Sequence, residues 1–346
     1  MPSPNEVAAL LRASIVVDLL VPSAPGAPSA PRDFASFVDE YRAAGVSWAT
    51  FTVATDIDAS VEATVLSIAA ARSYFLRDRE RCVWADSADD IQRAKREGKL
   101  AVSLNFQGTN AFYGRVDLIE TYRRLGVTQA LLCFNEKNAV ADGCYERTDA
   151  GLSRFGLRVV REMNRVGMMV DVSHTGPRSA LEAIEASAAP VIMSHSNARA
   201  ITDHPRNVSD AHIRAIAAKR GVIGIAGINA MTTGTDDPDS IGAEALFAHV
   251  DHIVQLVGPD YVGFGLDYIP NTDGLIAWIK SRPETFPADQ HRTRMLSAGP
   301  RVIESVAALM LEAGYGEDDL HKVLGNNWLR VFLAVDDYSS HTTKGT

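Results

Sequence analysis

Three side chains in this 346-residue sequence sit where a fold most readily does chemistry. His174 closes the apolar run 167–174 (GMMVDVSH), His195 follows the run 190–194 (PVIMS), and Asp267 ends the run 261–267 (YVGFGLD). Imidazole nitrogens suit zinc and similar divalent ions, and a carboxylate beside them either joins the ligand set or takes a proton from water that the ion has acidified. The same groups also have a plain reading, in which both histidines are buried and hydrogen-bonded and Asp267 caps a loop. Three polar groups at the ends of neighbouring runs favour the first reading, because burying them idle costs free energy. Phe134 and Asn135, at the end of the run 128–134, face the same region.

A repeated unit positions these residues. Short apolar runs recur at 14–20, 48–54, 100–106, 128–134, 167–174, 190–194, 221–226 and 261–267. Most are continuous rather than alternating, as parallel strands covered on both faces require. Between them lie stripes at helical spacing: Phe34, Phe37, Val38 and Tyr41; Leu152, Phe155, Val159, Val160 and Met163; Leu246, Val250, Ile253 and Val257. Eight strands alternating with helices predict a single (β/α)8 barrel over 1–336 and a polar, frayed tail over 337–346, with a doubly wound open sheet as the alternative architecture. A barrel carries its chemistry at the carboxyl ends of its strands, where His174, His195 and Asp267 fall. The loops at that end are expected to form walls or lids without catalytic residues of their own: 135–150 with Asp142 and Tyr145, 229–240 with Asp236 and Asp237, and 268–298 with Trp278, Phe286 and His291.

Composition narrows the partners. With 34 Lys+Arg against 43 Asp+Glu the net charge is −9, so no basic surplus exists to hold nucleic acid or an anionic membrane. The first residues lack the basic start and apolar core of a signal peptide, and the expectation is a cytoplasmic protein. Cys82, Cys133 and Cys144 are odd in number and irregularly spaced, which suits burial as small hydrophobes rather than a disulfide framework or a thiolate zinc site. His249 and His252 share a face of a helix outside the barrel and lack a third ligand, so they read as structural. Gly221, Gly224 and Gly227 lie in a strand without a phosphate-binding turn, and no nucleotide cofactor is expected. Ser173, Ser194 and Ser196 flank the histidines but sit in no nucleophile elbow.

Several motifs occur together in order: GLSRFGLRVVR (151–161), MMVDVSH (168–174), MSHSNARA (193–200), HPRNVSD (204–210), HVDHIV (249–254), VGFGLD (262–267) and LGNNWLRV (324–331). Over nearly the whole chain they resemble the membrane dipeptidase (renal dipeptidase) family of the amidohydrolase superfamily. The resemblance implies a barrel with two zinc ions in its mouth, bridged by a glutamate and a hydroxide, that hydrolyses dipeptides bearing a free carboxylate, and it implies a homodimer. It gives His174 and His195 the place of the second ion's two histidines. Asp267 takes the place of the aspartate that binds the first ion and handles the proton, and Arg206 that of the arginine pairing with the substrate carboxylate. Four positions depart from the pattern. Leu20 and Pro22 stand where the family has a metal-binding histidine and aspartate, Gln107 where it has the bridging glutamate, and Phe134 where it has a substrate-contacting histidine.

What the resemblance then implies is a divergent, dipeptidase-like, metal-dependent hydrolase of an amide-like bond in a carboxylate-bearing small molecule. At most one zinc or similar ion would be held, by His174, His195, Gln107 and Asp267, with no second metal. Arg206, Phe134 and Asn135 would contact the substrate, and Asp267, His174 and His195 would do the chemistry. Leu20 and Phe134 make the mouth apolar, which favours a substrate bulkier and more hydrophobic than a simple dipeptide. Two other readings stay open: a metal-free lyase, decarboxylase or isomerase, and a catalytically silent barrel that binds a ligand.

Overall fold

The computed structural model describes residues 3–26, 30–57, 59–270, 272–287 and 295–343. Its strands are β1 (Val17–Val21), β2 (Trp48–Thr55), β3 (Cys82–Trp84), β4 (Leu100–Gln107), β5 (Val127–Leu131), β6 (Met169–Asp171), β7 (Val191–Ile192), β8 (Ile223–Ile225) and β9 (Val262–Phe264). All pairs are parallel, in one sheet of order β1-β2-β4-β5-β6-β7, with β3 also on β4, and a second sheet of β8 and β9. A parallel bridge between Met193 and Ile223 joins the sheets. At the other seam Asp267 N donates to Leu20 O (3.2 Å) and Leu266 N to Asp18 Oδ1 (2.8 Å), which returns the last strand to the first. The ring closed in this way is the (β/α)8 barrel, and closure removes the free edges that an open sheet would keep.

Eight strands answer to the eight runs, and β3 is additional. It lies beside the start of β4, Cys82 opposite Leu100 and Trp84 opposite Val102, while β5 takes the end of the same strand from Leu104 onward. Two boundaries move. The first strand starts at Val17 because Ser14 finishes the preceding helix, its Oγ donating to Leu10 O at 2.8 Å. The run 128–134 keeps strand geometry only to Leu131, and the chain beyond it turns into the mouth.

Helices cover the outside of the barrel. Phe34–Ala43 buries Phe34, Phe37, Val38 and Tyr41, Arg154–Val166 buries Val159, Val160 and Met163, and Ala243–Val257 buries Leu246, Val250 and Ile253. These are the expected stripes, with Leu152, Phe155 and Val257 only partly buried at their margins. His249 is structural, held between Ala198 N (3.2 Å) and Thr232 O (2.9 Å), and His252 contacts Asp210 at 2.8 Å. The part of the expected tail that is described, 337–343, is helical. Helix Asn327–Thr343 extends into it, because Val331, Val335 and Tyr338 continue an apolar stripe that packs with Trp328 and Phe332. Among the described residues no helix is long and apolar enough to cross a membrane.

The seam between β9 and β1 rests on a buried carboxyl. Asp18 Oδ1 accepts from Leu266 N (2.8 Å) and Leu20 N (3.3 Å), and Oδ2 accepts from Tyr41 Oη (3.1 Å). Burial pushes its pKa from the ordinary 3.8 up to about 7, against the opposing pull of those three hydrogen bonds. The folded chain thus binds this proton more tightly than the unfolded chain does. The resulting stabilisation is whole below pH 3.8 and is lost as pH rises to about 7. Asp18→Asn keeps the acceptor for Leu266 and removes the titration. Its melting temperature relative to the wild type is expected to climb across that pH window, and parallel profiles for the two proteins would contradict the assignment.

Candidate active site

At the carboxyl end of the barrel, β5 leads into Phe134 and Asn135, β6 into His174, β7 into His195 and β9 into Asp267. Asn135 (φ 55°), His174 (φ 62°) and Asp267 (φ 56°) are three of five described non-glycine residues in the left-handed region. Such backbone costs about 1–3 kcal/mol per residue, less for Asn, and it gathers where side-chain direction matters more than local comfort. Two glycines let neighbouring strands close on the turn that carries His195. A Cβ on Gly224 would lie 2.0 Å from Ser194 O, and one on Gly265 1.8 Å from the same oxygen.

Asp171 ties the two histidine turns together, its Oδ1 accepting from Ser173 N (2.9 Å) and Ser194 N (3.1 Å). The rings that these turns carry are in contact, with 2.9 Å between His174 Nε2 and His195 Nε2. Their protons follow from the outer partners. Asn135 Nδ2 donates to Thr285 O (3.2 Å), which leaves Asn135 Oδ1 to accept from His174 Nδ1 at 2.6 Å. His174 Nε2 is then an acceptor for His195 Nε2–H, and His195 Nδ1 accepts from Ser194 Oγ at 2.7 Å. Burial, with Arg206 adding to it, holds the His195 pKa well below its usual value, so this ring is neutral.

Arg206 is 5% exposed and donates from Nη2 to His195 O at 3.1 Å. Among the described residues it forms no ion pair. Burial pushes the Asp267 carboxyl up to about 6, and Arg206 pulls it the other way. Phe134 stacks on His174, ring centroids 4.2 Å apart, and its backbone N–H donates to Asp56 Oδ2 at 3.0 Å. Gln107 Nε2 donates to Thr52 Oγ1 (3.1 Å), which donates to Asn105 Oδ1 (2.8 Å), while Asn105 Nδ2 donates to Thr50 Oγ1 (3.0 Å). The interior below the mouth is therefore lined by a neutral chain of amides and hydroxyls.

A cavity of about 640 Å³ opens at this end, walled by His174, Arg206, Asp267, Gln107, Phe134 and Asn135 together. Both histidines end their strands as expected, but fully buried His195 is not among the walls and stands behind His174. Arg206, seated on the His195 carbonyl, joins the cavity in its place. Trp278, Phe286 and Tyr145 also line it, whereas His291 lies outside the described residues. Asp142 organises its own loop, accepting from Thr148 Oγ1 and Ala150 N at 2.8 Å, and Asp237 caps the short helix Pro238–Ser240. Cys82 and Cys133 are buried and Cys144 is partly so, all three as free thiols. Asp56 escapes a reading of motifs. It accepts from Asn110 N (2.8 Å), Asn138 Nδ2 (2.8 Å) and Phe134 N (3.0 Å), and so fixes the aromatic wall against His174. An acid directly after an apolar run, as in TVATD, is the signal that marks it.

Residues 34–280 match the family described as membrane dipeptidase (peptidase family M19). Dipeptidase tcpJ of Claviceps purpurea is 32% identical over 263 residues, which are 75% of this chain and 57% of tcpJ, so the match spans little more than half of that relative. Dipeptidase verJ of Clonostachys rogersoniana is 29% identical over 315 residues, 87% of this chain and 75% of verJ. Among solved structures, an amidohydrolase from Pseudomonas aeruginosa superposes with a TM-score of 0.85 at 29% identity, covering 96% of this chain and 99% of that one. A metallopeptidase from Rhodobacter sphaeroides, liganded with a phosphinate mimic of the dipeptide L-Ala-D-Ala, shares the fold with a TM-score of 0.70 at 20% identity, over 93% of this chain and 99% of that one.

Donor chemistry decides which metal centre these residues fit. Two nitrogens about 2.0–2.1 Å from a tetrahedral ion are about 3.3 Å apart. The observed 2.9 Å needs only a small parting of the rings for an ion to replace the shared proton. Asn135 Oδ1 already accepts from the outer nitrogen of His174, as the supporting shell of a metal-binding histidine does, and the Ser194 hydroxyl beside His195 Nδ1 can turn from donor to acceptor once an ion takes the Nε2 lone pair. Among the described residues no three His, Cys, Asp or Glu side chains converge on one point. Leu20 is fully buried and Pro22 walls the cavity, and neither carries a donor atom that could ligate. The pair therefore fits one ion as two of its ligands and does not fit a dinuclear centre.

Long-range ¹⁵N–¹H correlations on metal-free protein are expected to show His174 protonated at Nδ1 and His195 at Nε2, with the first assignment lost in Asn135→Ala. Protonation of His174 at Nε2 would contradict the hydrogen-bond order.

Proposed function

This chain belongs to the membrane dipeptidase family, and from that premise we propose that it is a dipeptidase-type hydrolase that cleaves an amide-like bond in a carboxylate-bearing small molecule. The observation that carries the reading is Arg206, a guanidinium buried in the cavity wall without an ion-pair partner among the described residues. An unpaired buried cation is costly, and a ligand carboxylate is the partner that its planar fork accepts best. With Nη2 spent on His195 O, the remaining N–H groups are left to orient that carboxylate.

Each residue has a task that its surroundings support. Asp267, raised to about 6 and facing the cavity, is largely ionised at neutral pH and takes the proton of the attacking water. It then returns that proton to the leaving nitrogen. One divalent ion, held by His174 Nε2 and His195 Nε2 with the Gln107 carbonyl oxygen as a neutral ligand, would supply Lewis acidity to the amide carbonyl. Asn135 holds His174 in the tautomer whose Nε2 lone pair is available, and Phe134 fixes the ring from its face. Trp278, Ile279 and Phe286 give the mouth an apolar wall.

Arg206→Ala is expected to raise KM for a carboxylate-bearing substrate far more than it lowers kcat, with a loss of roughly 2–5 kcal/mol in kcat/KM. Arg206→Lys should recover only part of it, since an ammonium lacks the bidentate fork. Steady-state kinetics on a panel of amides, each paired with its carboxamide analogue, checks this. An unchanged KM in Arg206→Ala, or equal turnover of the carboxamides, would make the residue structural.

A further inference from the structure

Contacts at the mouth run in one line. Arg206 Nη2 meets His195 O at 3.1 Å, His195 meets His174 at 2.9 Å, and Phe134 stacks on His174 at 4.2 Å between centroids. Phe286 meets Phe134 edge-on at 5.9 Å, and Trp278 meets Phe286 at 5.3 Å. The line begins at a cation, crosses the reacting centre and ends in aromatic surface, where Ile279 packs with Phe134 and Phe286 and where Leu275 and Met295 flank the cluster. Of the described residues walling the cavity, Asp267 alone is an acid.

This charge pattern suits a free dipeptide poorly. A dipeptide carries an α-ammonium two bonds from its amide carbonyl carbon. Placed here, that cation would be buried against apolar side chains with no carboxylate among the described wall residues other than the proton acceptor to pair with it, which is unfavourable. An uncharged acyl group in the same place buries apolar surface and leaves Asp267 to its proton.

We propose that the site selects N-acyl amino acids with a bulky apolar acyl group, with the amino-acid carboxylate on Arg206, the amide at His174 and Asp267, and the acyl group along Phe134, Phe286 and Trp278. The inference names the substrate class of the hydrolysis proposed above and rests on that reading. One water is consumed: the amide C–N bond breaks, a C–O bond forms at the acyl carbon, and a water proton passes through Asp267 to the departing nitrogen. The products are a carboxylate and a free amino acid, and no oxidant or second co-reactant is needed.

The test compares 3-phenylpropanoyl-alanine with phenylalanyl-alanine, molecules of one shape that differ by the α-amine, each made with L- and D-alanine. Binding to the full chain is measured by titration calorimetry, and release of alanine is followed separately. The acyl compound is expected to bind at least tenfold more tightly in one alanine series. Trp278→Ala should reduce that preference at least fivefold and Trp278→Phe should keep it. Equal or tighter binding of phenylalanyl-alanine in both series, or an intact preference in Trp278→Ala, overturns the proposal. Tight acyl binding without alanine release supports the selectivity while overturning hydrolysis, and rapid cleavage of phenylalanyl-alanine with no acyl preference does the reverse.

Discussion

Two imidazoles held in contact, His174 Nε2 against His195 Nε2, are the constraint around which the mouth of this barrel is arranged. The contact exists because Asp171 accepts a backbone N–H from each histidine turn and so locks the ends of two adjacent strands together. Proton order then spreads outward, to Asn135 on one side and to Ser194 on the other. Left-handed backbone at Asn135, His174 and Asp267 is the conformational cost of turning those side chains inward. Closure of the barrel by Asp18 and Leu266 brings Asp267 to the same mouth, so the seam that stabilises the fold also sets the position of that carboxyl.

Charge and polarity divide the cavity into regions with different tasks. His174 and Asp267 bring two titratable side chains to its wall, Arg206 gives it one fixed positive charge, and the Phe134–Phe286–Trp278 row gives it an apolar wall. Below, the Gln107–Thr52–Asn105–Thr50 chain is neutral and internally hydrogen-bonded. A carboxylate in place of Gln107 would bring a buried negative charge to this chain, so the amide suits a site with fewer cations to balance it.

The barrel is legible in the sequence because its strands are continuous apolar runs and its helices carry stripes at the right spacing, as with Phe34, Phe37, Val38 and Tyr41. β3 is not legible, since three residues, Cys82–Trp84, are too few to show a pattern, and their pairing depends on β4 being long enough to flank two strands. His174 and Asp267 stand out because a polar group at the end of an apolar run is conspicuous. The order of contact is hidden. That His195 lies behind His174, and that Asn135 rather than an acid orients the ring, depends on turns whose φ values no periodicity encodes. The buried acids Asp18 and Asp171 and the partly buried Asp56 each interrupt or follow an apolar run, yet their partners are mainly backbone N–H groups, which leave no mark in residue type.

The claim on which the account turns is that, among the described residues, the touching pair His174 and His195 is what this mouth offers to a metal ion. Metal content of tag-free protein, measured by inductively coupled plasma mass spectrometry after incubation with zinc and removal of the excess, tests it most directly. The account predicts about one ion per chain, lost in His174→Ala and in His195→Ala. Two ions per chain, or one ion that survives both substitutions, would contradict it.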